Sequence, residues 1–320
     1  MLNFPYKMCA AVVVGGGVLA GCQGSEITPL PGTVVSTEVI AAQLDIDRVG
    51  ALTLDDGSAP LLDGSWARYT PDTTWSWQLS GSDASINMEY EADVYVIDMF
   101  AQLSVNSITE LHNRGRDVIC YFSAGTYEPW RPDAELFAEA ELGNPHKYYP
   151  QERWLDIMDP LVSKLMANRM DMAVALGCDG VELDNVDGWI PSAESGFTFT
   201  LDDQKQYVKV LANEAHKRNL TVALKNNVEL IEELADYFDL VINEECFQYN
   251  ECDGYRPMIA KGKPVFNAEY KVFDEQGNAL LPVVDYPAQR AALCQQSIEY
   301  GFQTLFLPLA LDGSFRVTCS

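Results

Sequence analysis

Short, continuously apolar runs that recur between helical patterns constrain this chain more than any other feature. Eight such runs occur, at 74–79, 94–98, 117–123, 180–184, 221–225, 240–244, 264–270 and 303–309. Being apolar on both faces, they suit parallel strands covered on the outside by helices. Helical patterns fill the gaps at 104–114, 160–176, 228–238 and 287–300, with Gly115, Gly177 and Gly301 at or near their ends. A further helix starts at Thr200, an N-cap with Asp203 three residues on, and carries Tyr207, Leu211 and Ala215 at i, i+4 and i+8. This rhythm predicts an α/β fold, a (β/α)₈ TIM barrel over residues 66–320. A doubly wound sheet is the alternative, but neither a G-x-G-x-x-G nor a P-loop supports it.

In a barrel the active site gathers at the C-terminal ends of the strands, and that rule ranks the acids. The segment GCDGVELDNVDGWI, residues 177–190, ends an apolar strand in Asp184, Asn185 and Asp187, then Gly188-Trp189. Residues 240–246, LVINEEC, repeat the pattern with Glu244 and Glu245. Two such strand ends supply a carboxylate pair of the kind that glycoside hydrolysis needs. Asp98 and Glu269 end two more strands, one strand carries Tyr121 and Ser123 towards its end, and another finishes in Lys225-Asn226-Asn227. Charged groups at so many strand ends are costly to bury unless they pair or meet a polar ligand. Aromatics crowd the same ends: Trp75, Trp77, Tyr121, Trp130, Trp189, Phe247, Tyr249 and Tyr270. Trp189 and Tyr249 are the best placed to stack on a sugar, because each follows a strand end and lies in a loop.

Other chemistries find less support. Ser123 sits in Phe-Ser-Ala-Gly, not in a G-x-S-x-G elbow, and no histidine lies near it in sequence. Lys225 could serve as a Schiff-base lysine, although balancing the neighbouring carboxylates is the role we prefer for it. His112, His146 and His216 do not cluster and the cysteine spacings do not resemble a zinc site, so no metal is expected.

The N-terminus stands apart from this pattern. Lys7 is followed by an apolar run from Met8 to Leu19 and then Leu19-Ala20-Gly21-Cys22. The run is too short for an ordinary membrane span and reads as a secretion signal, residues 1–21. The tetrad resembles a bacterial lipobox, which would make Cys22 the lipidated first residue of an exported protein anchored at the outer membrane or cell surface. Residues 22–65, rich in Thr, Ser, Gly, Pro and Asp, read as a flexible tether. Eight cysteines are present, of which Cys9 and Cys22 belong to the leader region. In an exported chain Cys246 could pair with Cys252, and Cys294 with Cys319; Cys120 and Cys178 form a third pair or stay buried thiols.

With 47 acids against 21 Lys and Arg, the formal charge is −26. That excess argues against nucleic acid as a partner, because phosphate contacts need cations. It would attract a cationic substrate by long-range steering, or serve as a general solubilising surface.

The segments DVICYFSAGTYEPWRPD, GCDGVELDNVDGW, ALKNN, INEECFQYNEC and KPVFNAEY, in that order, resemble family 114 of the glycoside hydrolases, which are endo-α-1,4-polygalactosaminidase-like TIM barrels. The resemblance covers residues 66–320 and leaves out the tether. It implies retaining cleavage of an α-1,4-linked galactosamine polymer, without metal or organic cofactor. It also implies a nucleophile at Asp184 and an acid/base at Glu244, kept protonated by burial and neighbouring carboxylates. Asp98, Asp187 and Glu269 would hold the sugar's amine and hydroxyls, with Tyr121, Trp189, Lys225, Asn226, Glu245, Tyr249 and Tyr270 completing the substrate-binding set. The family often has Gln where this chain has Glu245. A non-catalytic polysaccharide-binding lipoprotein on the same scaffold is the alternative.

Overall fold

The protein is described from a computed structural model covering residues 44–80, 86–101, 107–274 and 276–319. The expected leader, residues 1–21, and Cys22 lie outside the described residues. The central sheet is built from eight parallel strands in chain order: β1 (Trp75–Gln78), β2 (Val94–Asp98), β3 (Asp117–Ser123), β4 (Gly180–Asp184), β5 (Thr221–Lys225), β6 (Leu240–Glu244), β7 (Val265–Glu269) and β8 (Gln303–Phe306). A short antiparallel strand, β9 (Val317–Thr318), pairs with β8. Every expected strand is present, trimmed by one to three residues at some ends.

The sheet curls so that one face looks inward, as in a TIM barrel. Trp75, Trp77, Val96, Ile119, Ala223, Ile242, Phe266 and Leu305 pack against one another on that inner side. The alternate residues of the same strands, among them Tyr95, Ile97, Val181, Leu183 and Val241, pack outward beneath the helices. This two-sided burial explains the unbroken apolar runs. Among the described residues no ladder joins β8 to β1. The seam is spanned instead by Trp75 Nε1 donating to Gln303 O at 2.8 Å, and by Leu79 N donating to Leu311 O at 3.0 Å. The guanidinium of Arg316, just before β9, donates to Trp75 O from Nε at 2.9 Å.

The longest helices among the described residues are α1 (Ser107–Asn113), α2 (Pro160–Leu176), α3 (Leu201–Lys217) and α4 (Pro287–Tyr300). The signals read from the sequence act as expected. Thr200 and Asp203 form a reciprocal capping box, and Gly177 and Gly301 terminate α2 and α4 in the left-handed conformation. The helix expected over 228–238 is broken into a 3₁₀ turn, Val228–Leu230, and one α-turn, Ile231–Leu234. Asn227, left-handed at φ 55°, precedes it.

Residues 45–65, expected to belong to the tether, are instead packed on the fold. Asp45 caps a helical turn, Ile46–Gly50, whose Val49 is fully buried. Asp55 N donates to Glu214 Oε1 at 2.7 Å and Leu61 N to Asn213 Oδ1 at 3.1 Å, both on α3. The composition of this stretch looked flexible, but its backbone groups find partners on the outer face of α3.

The disulfides expected between Cys246 and Cys252 and between Cys294 and Cys319 are formed, and Cys120 pairs with Cys178. The last bond links β3 to the residue pair preceding β4. None of the described helices is long and apolar enough to cross a membrane.

Candidate active site

Strand register sets the site. Ser123 pairs with Asp184, Lys225 with Ile242, and Glu244 with Ala268, which brings the ends of β3 to β7 to one rim. At three of these ends the last strand residue carries the functional side chain and the next residue is left-handed: Asn185 (φ 57°), Asn226 (φ 49°) and Glu245 (φ 60°). A non-glycine residue is seldom found there, and such strain collects at functional sites. The loops also interlock closely. A Cβ at Gly125 would stand 1.7 Å from the carbonyl oxygen of Asn185.

At the centre is Lys225. Its Nζ lies 3.1 Å from Asp184 Oδ1 and 2.8 Å from Glu244 Oε2. Each carboxylate also receives one tyrosine hydroxyl: Tyr121 donates to Asp184 Oδ2 at 2.9 Å, and Tyr270 donates to Glu244 Oε1. The backbone N–H of Asn185 adds a third donor to Asp184 at 2.7 Å. The array therefore reads Tyr121–Asp184–Lys225–Glu244–Tyr270. Burial alone would lower the lysine, but the charges of Asp184, Glu244 and Glu182 outweigh it and hold the ammonium well above its usual range. That disfavours the Schiff-base alternative, which needs a neutral amine.

Glu244 is not the buried acid that was expected. Its side chain is 30% exposed and ion-paired. The strongly buried acids lie around it. Burial pushes Glu182, inside β4, up to about 8, with Lys225 opposing and Asp184 adding to the rise. Burial and then Asp184 raise Asp187 to about 6. Burial likewise lifts Glu152 to about 7 against the hydrogen bond from Thr126, which is 2.7 Å long.

Several expected sugar contacts have other duties. Asp98 caps Phe100 N at 2.9 Å and is held bidentately by Arg131 at 2.9 and 2.8 Å. Its carboxylate is spent inside the fold, so we withdraw it from the substrate-binding set. Glu269 is buried and accepts from Phe247 N and Asn267 Nδ2, both at 3.2 Å, away from the array. Burial raises it to about 8. Asn226 Oδ1 accepts from Glu244 N at 3.0 Å and so ties β5 to β6. Glu245 pairs with Lys271 at 3.1 Å. Trp189 is half-buried and donates to Asn227 Oδ1 at 3.4 Å, while Tyr249 is exposed.

The sequence reading passed over Glu182 and counted Trp77 only among the aromatics near the strand ends. Glu182 is an acid in the middle of an apolar strand, and that alone was a signal. Trp77 Nε1 donates to Glu182 Oε2 at 3.0 Å, and Lys225 Nζ stands 4.9 Å from the Trp77 ring centroid. It also passed over Arg169 and Asp133, a fully buried pair at 2.7 Å whose guanidinium additionally donates to Ser123 O at 2.7 Å, bracing the end of β3.

The model of glycoside-hydrolase family GH114 matches residues 58–320. Ega3 of Aspergillus fumigatus, solved in complex with galactosamine, is 35% identical over 82% of this chain and 100% of its own, with a TM-score of 0.71. The glycoside hydrolase domain of PelA from Pseudomonas aeruginosa is 15% identical over 77% of this chain and 98% of its own, with a TM-score of 0.55, a likeness of fold. Among curated proteins none matches the chain.

Proposed function

The chain belongs to glycoside-hydrolase family GH114 and is a glycoside hydrolase, and on that premise we propose that it cleaves α-1,4-linked galactosamine polymer with retention of configuration. The observation that carries this reading is the sharing of Lys225 by Asp184 and Glu244. At 3.1 and 2.8 Å from one nitrogen, their nearest oxygens stand no more than about 6 Å apart. That places both carboxylates within reach of one glycosidic bond; retention is what the family resemblance implies, and it calls for carboxyl groups about 5–5.5 Å apart, against roughly 6.5–9.5 Å for an inverting pair.

Asp184 is the nucleophile. Three donors hold its carboxylate in place, and it attacks the anomeric carbon as the glycosidic bond breaks. Glu244, the more exposed of the two, gives its proton to the leaving oxygen, then takes one from the water that releases the sugar. Asp187, whose charge acts on Asp184, Lys225 and Glu244, is the candidate for the sugar's polar groups, and Trp189 and Tyr249 are the candidates for its apolar faces. Two features favour a cationic hexosamine: the 35% identical Ega3 was solved with galactosamine, and the chain's charge of −26 attracts polycations.

We also propose that Cys22 is lipidated after removal of residues 1–21, anchoring the enzyme at the outer membrane or cell surface. Three disulfides suit an oxidising compartment. The substrate reading is tested by incubating the purified protein with partially deacetylated α-1,4-galactosamine polymer at rising ionic strength. Oligosaccharides should appear, more slowly as salt screens the attraction. Absence of products at every salt concentration contradicts the substrate.

A further inference from the structure

We propose that Lys225 is a shared counter-ion, which neutralises Asp184 before bond cleavage and Glu244 after it, held in place by the indole of Trp77 anchored to Glu182. This rests on the reading of Asp184 and Glu244 given above. Lys225 is buried, yet it reaches both carboxylates at hydrogen-bond distance. Opposite each, on the far oxygen, sits a tyrosine hydroxyl.

The charge balance of a retaining reaction makes this arrangement useful. Before cleavage Asp184 is a carboxylate, Glu244 is an acid and Lys225 an ammonium, so the three sum to zero. The Asp184 oxygen then bonds to the anomeric carbon, the glycosidic C–O bond breaks, and the Glu244 proton leaves on the departing oxygen. Asp184 is now a neutral ester and Glu244 a carboxylate. The sum is again zero, but the negative charge has moved from one side of Lys225 to the other. Water next gives a proton to Glu244 and its oxygen to the sugar, and the charge returns to Asp184. A single buried cation touching both groups thus serves each state, and little reorganisation is needed.

Trp77 holds the ammonium in place. It is buried, presents its ring face to Nζ at 4.9 Å, and donates its N–H to Glu182 at 3.0 Å. An ammonium over an indole is attracted to the ring without using up a hydrogen-bond donor, so its N–H groups stay free for both carboxylates. Glu182 Oε1 has no hydrogen-bond partner among the described residues, so this side chain's one bond is the one that orients the indole. The titratable groups around Lys225 include Asp184, Glu182 and Asp187 from β4 and its loop, Glu244 from β6, Tyr121 from β3, Tyr149 from the segment before α2, Tyr255 after β6 and Tyr270 after β7.

The test compares Lys225→Met, Lys225→Arg and Trp77→Phe with the wild type, by steady-state pH profiles and by carbon-13 NMR titration of the side-chain carboxylates without substrate. Loss of the cation should lower kcat at least a hundredfold with KM within about threefold, and raise the titration midpoints of Asp184 and Glu244 by a unit or more. Lys225→Arg should recover part of kcat. Trp77→Phe, which keeps a ring face and loses the N–H, should lower kcat about tenfold with the midpoints shifted in the same direction. A raised KM at unchanged kcat would make Lys225 a substrate contact and overturn the proposal. So would unchanged carboxylate midpoints in Lys225→Met or, if that variant does not fold, in Trp77→Phe. Wild-type inactivity on the galactosamine polymer contradicts the substrate reading alone, because the titration needs no turnover.

Discussion

Asp184 and Glu244 end strands two apart in the barrel and accept from the same lysine nitrogen, at 3.1 and 2.8 Å. Each has its own tyrosine, so neither can be altered without the other feeling the change. Near-isosteric substitution should therefore be severe at both. Asp184→Asn and Glu244→Gln are each expected to lower kcat by several orders of magnitude with the fold retained, because the pair acts as a unit. Glu245→Gln breaks only the pair with Lys271 and should be mild. Equal damage from Glu245→Gln and Glu244→Gln would assign the acid to the wrong neighbour. Circular dichroism and initial rates decide it.

Glu269 sets a pH dependence of stability. Burial raises it to about 8 from an ordinary 4.5, so the folded state binds its proton more tightly than the unfolded chain. The stabilisation is full below the unfolded value and is lost as pH rises through the folded one. The wild-type melting temperature should fall as pH rises from about 5 towards 9, and Glu269→Gln should flatten that fall. Identical slopes for the two proteins would show that Glu269 is ionised in the fold.

Arg169 and Asp133 are fully buried and braced to the end of β3. Removing one partner leaves an uncompensated charge. Arg169→Met should cost roughly 3–5 kcal/mol in denaturant titration. The Arg169→Met, Asp133→Leu double variant should recover much of that loss. A neutral single variant would mean that the pair contributes nothing measurable.

Much of this architecture was legible in the chain. The strands, the boundaries of α2 and α4 and the cap at Thr200 follow from period and capping chemistry, which are local. Strand-end position put Asp184 and Glu244 among five candidate acids, and the family resemblance singled out the two. What stayed hidden depends on partners distant in sequence. Asp98 looks like a site acid until Arg131 is seen to claim it. Residues 45–65 look like a tether because their partners, Asn213 and Glu214, lie on α3. Glu182 read only as a strand residue because the indole that donates to it belongs to β1.

The leader gives a separate expectation. Cys22→Ser should move the protein from the membrane fraction to the soluble one, and the wild-type mature N-terminus should carry acyl mass. Unchanged fractionation without such mass would contradict the anchor.

Retention through Asp184 requires a covalent bond between its carboxylate and the sugar. A 5-fluoro-α-galactosaminyl fluoride slows release of the sugar and should trap the intermediate. Peptide mass mapping of the treated protein should place one hexosamine on the peptide holding Asp184, and none in Asp184→Asn. A sugar found on another carboxylate, or no adduct with products of inverted configuration, would contradict the mechanism.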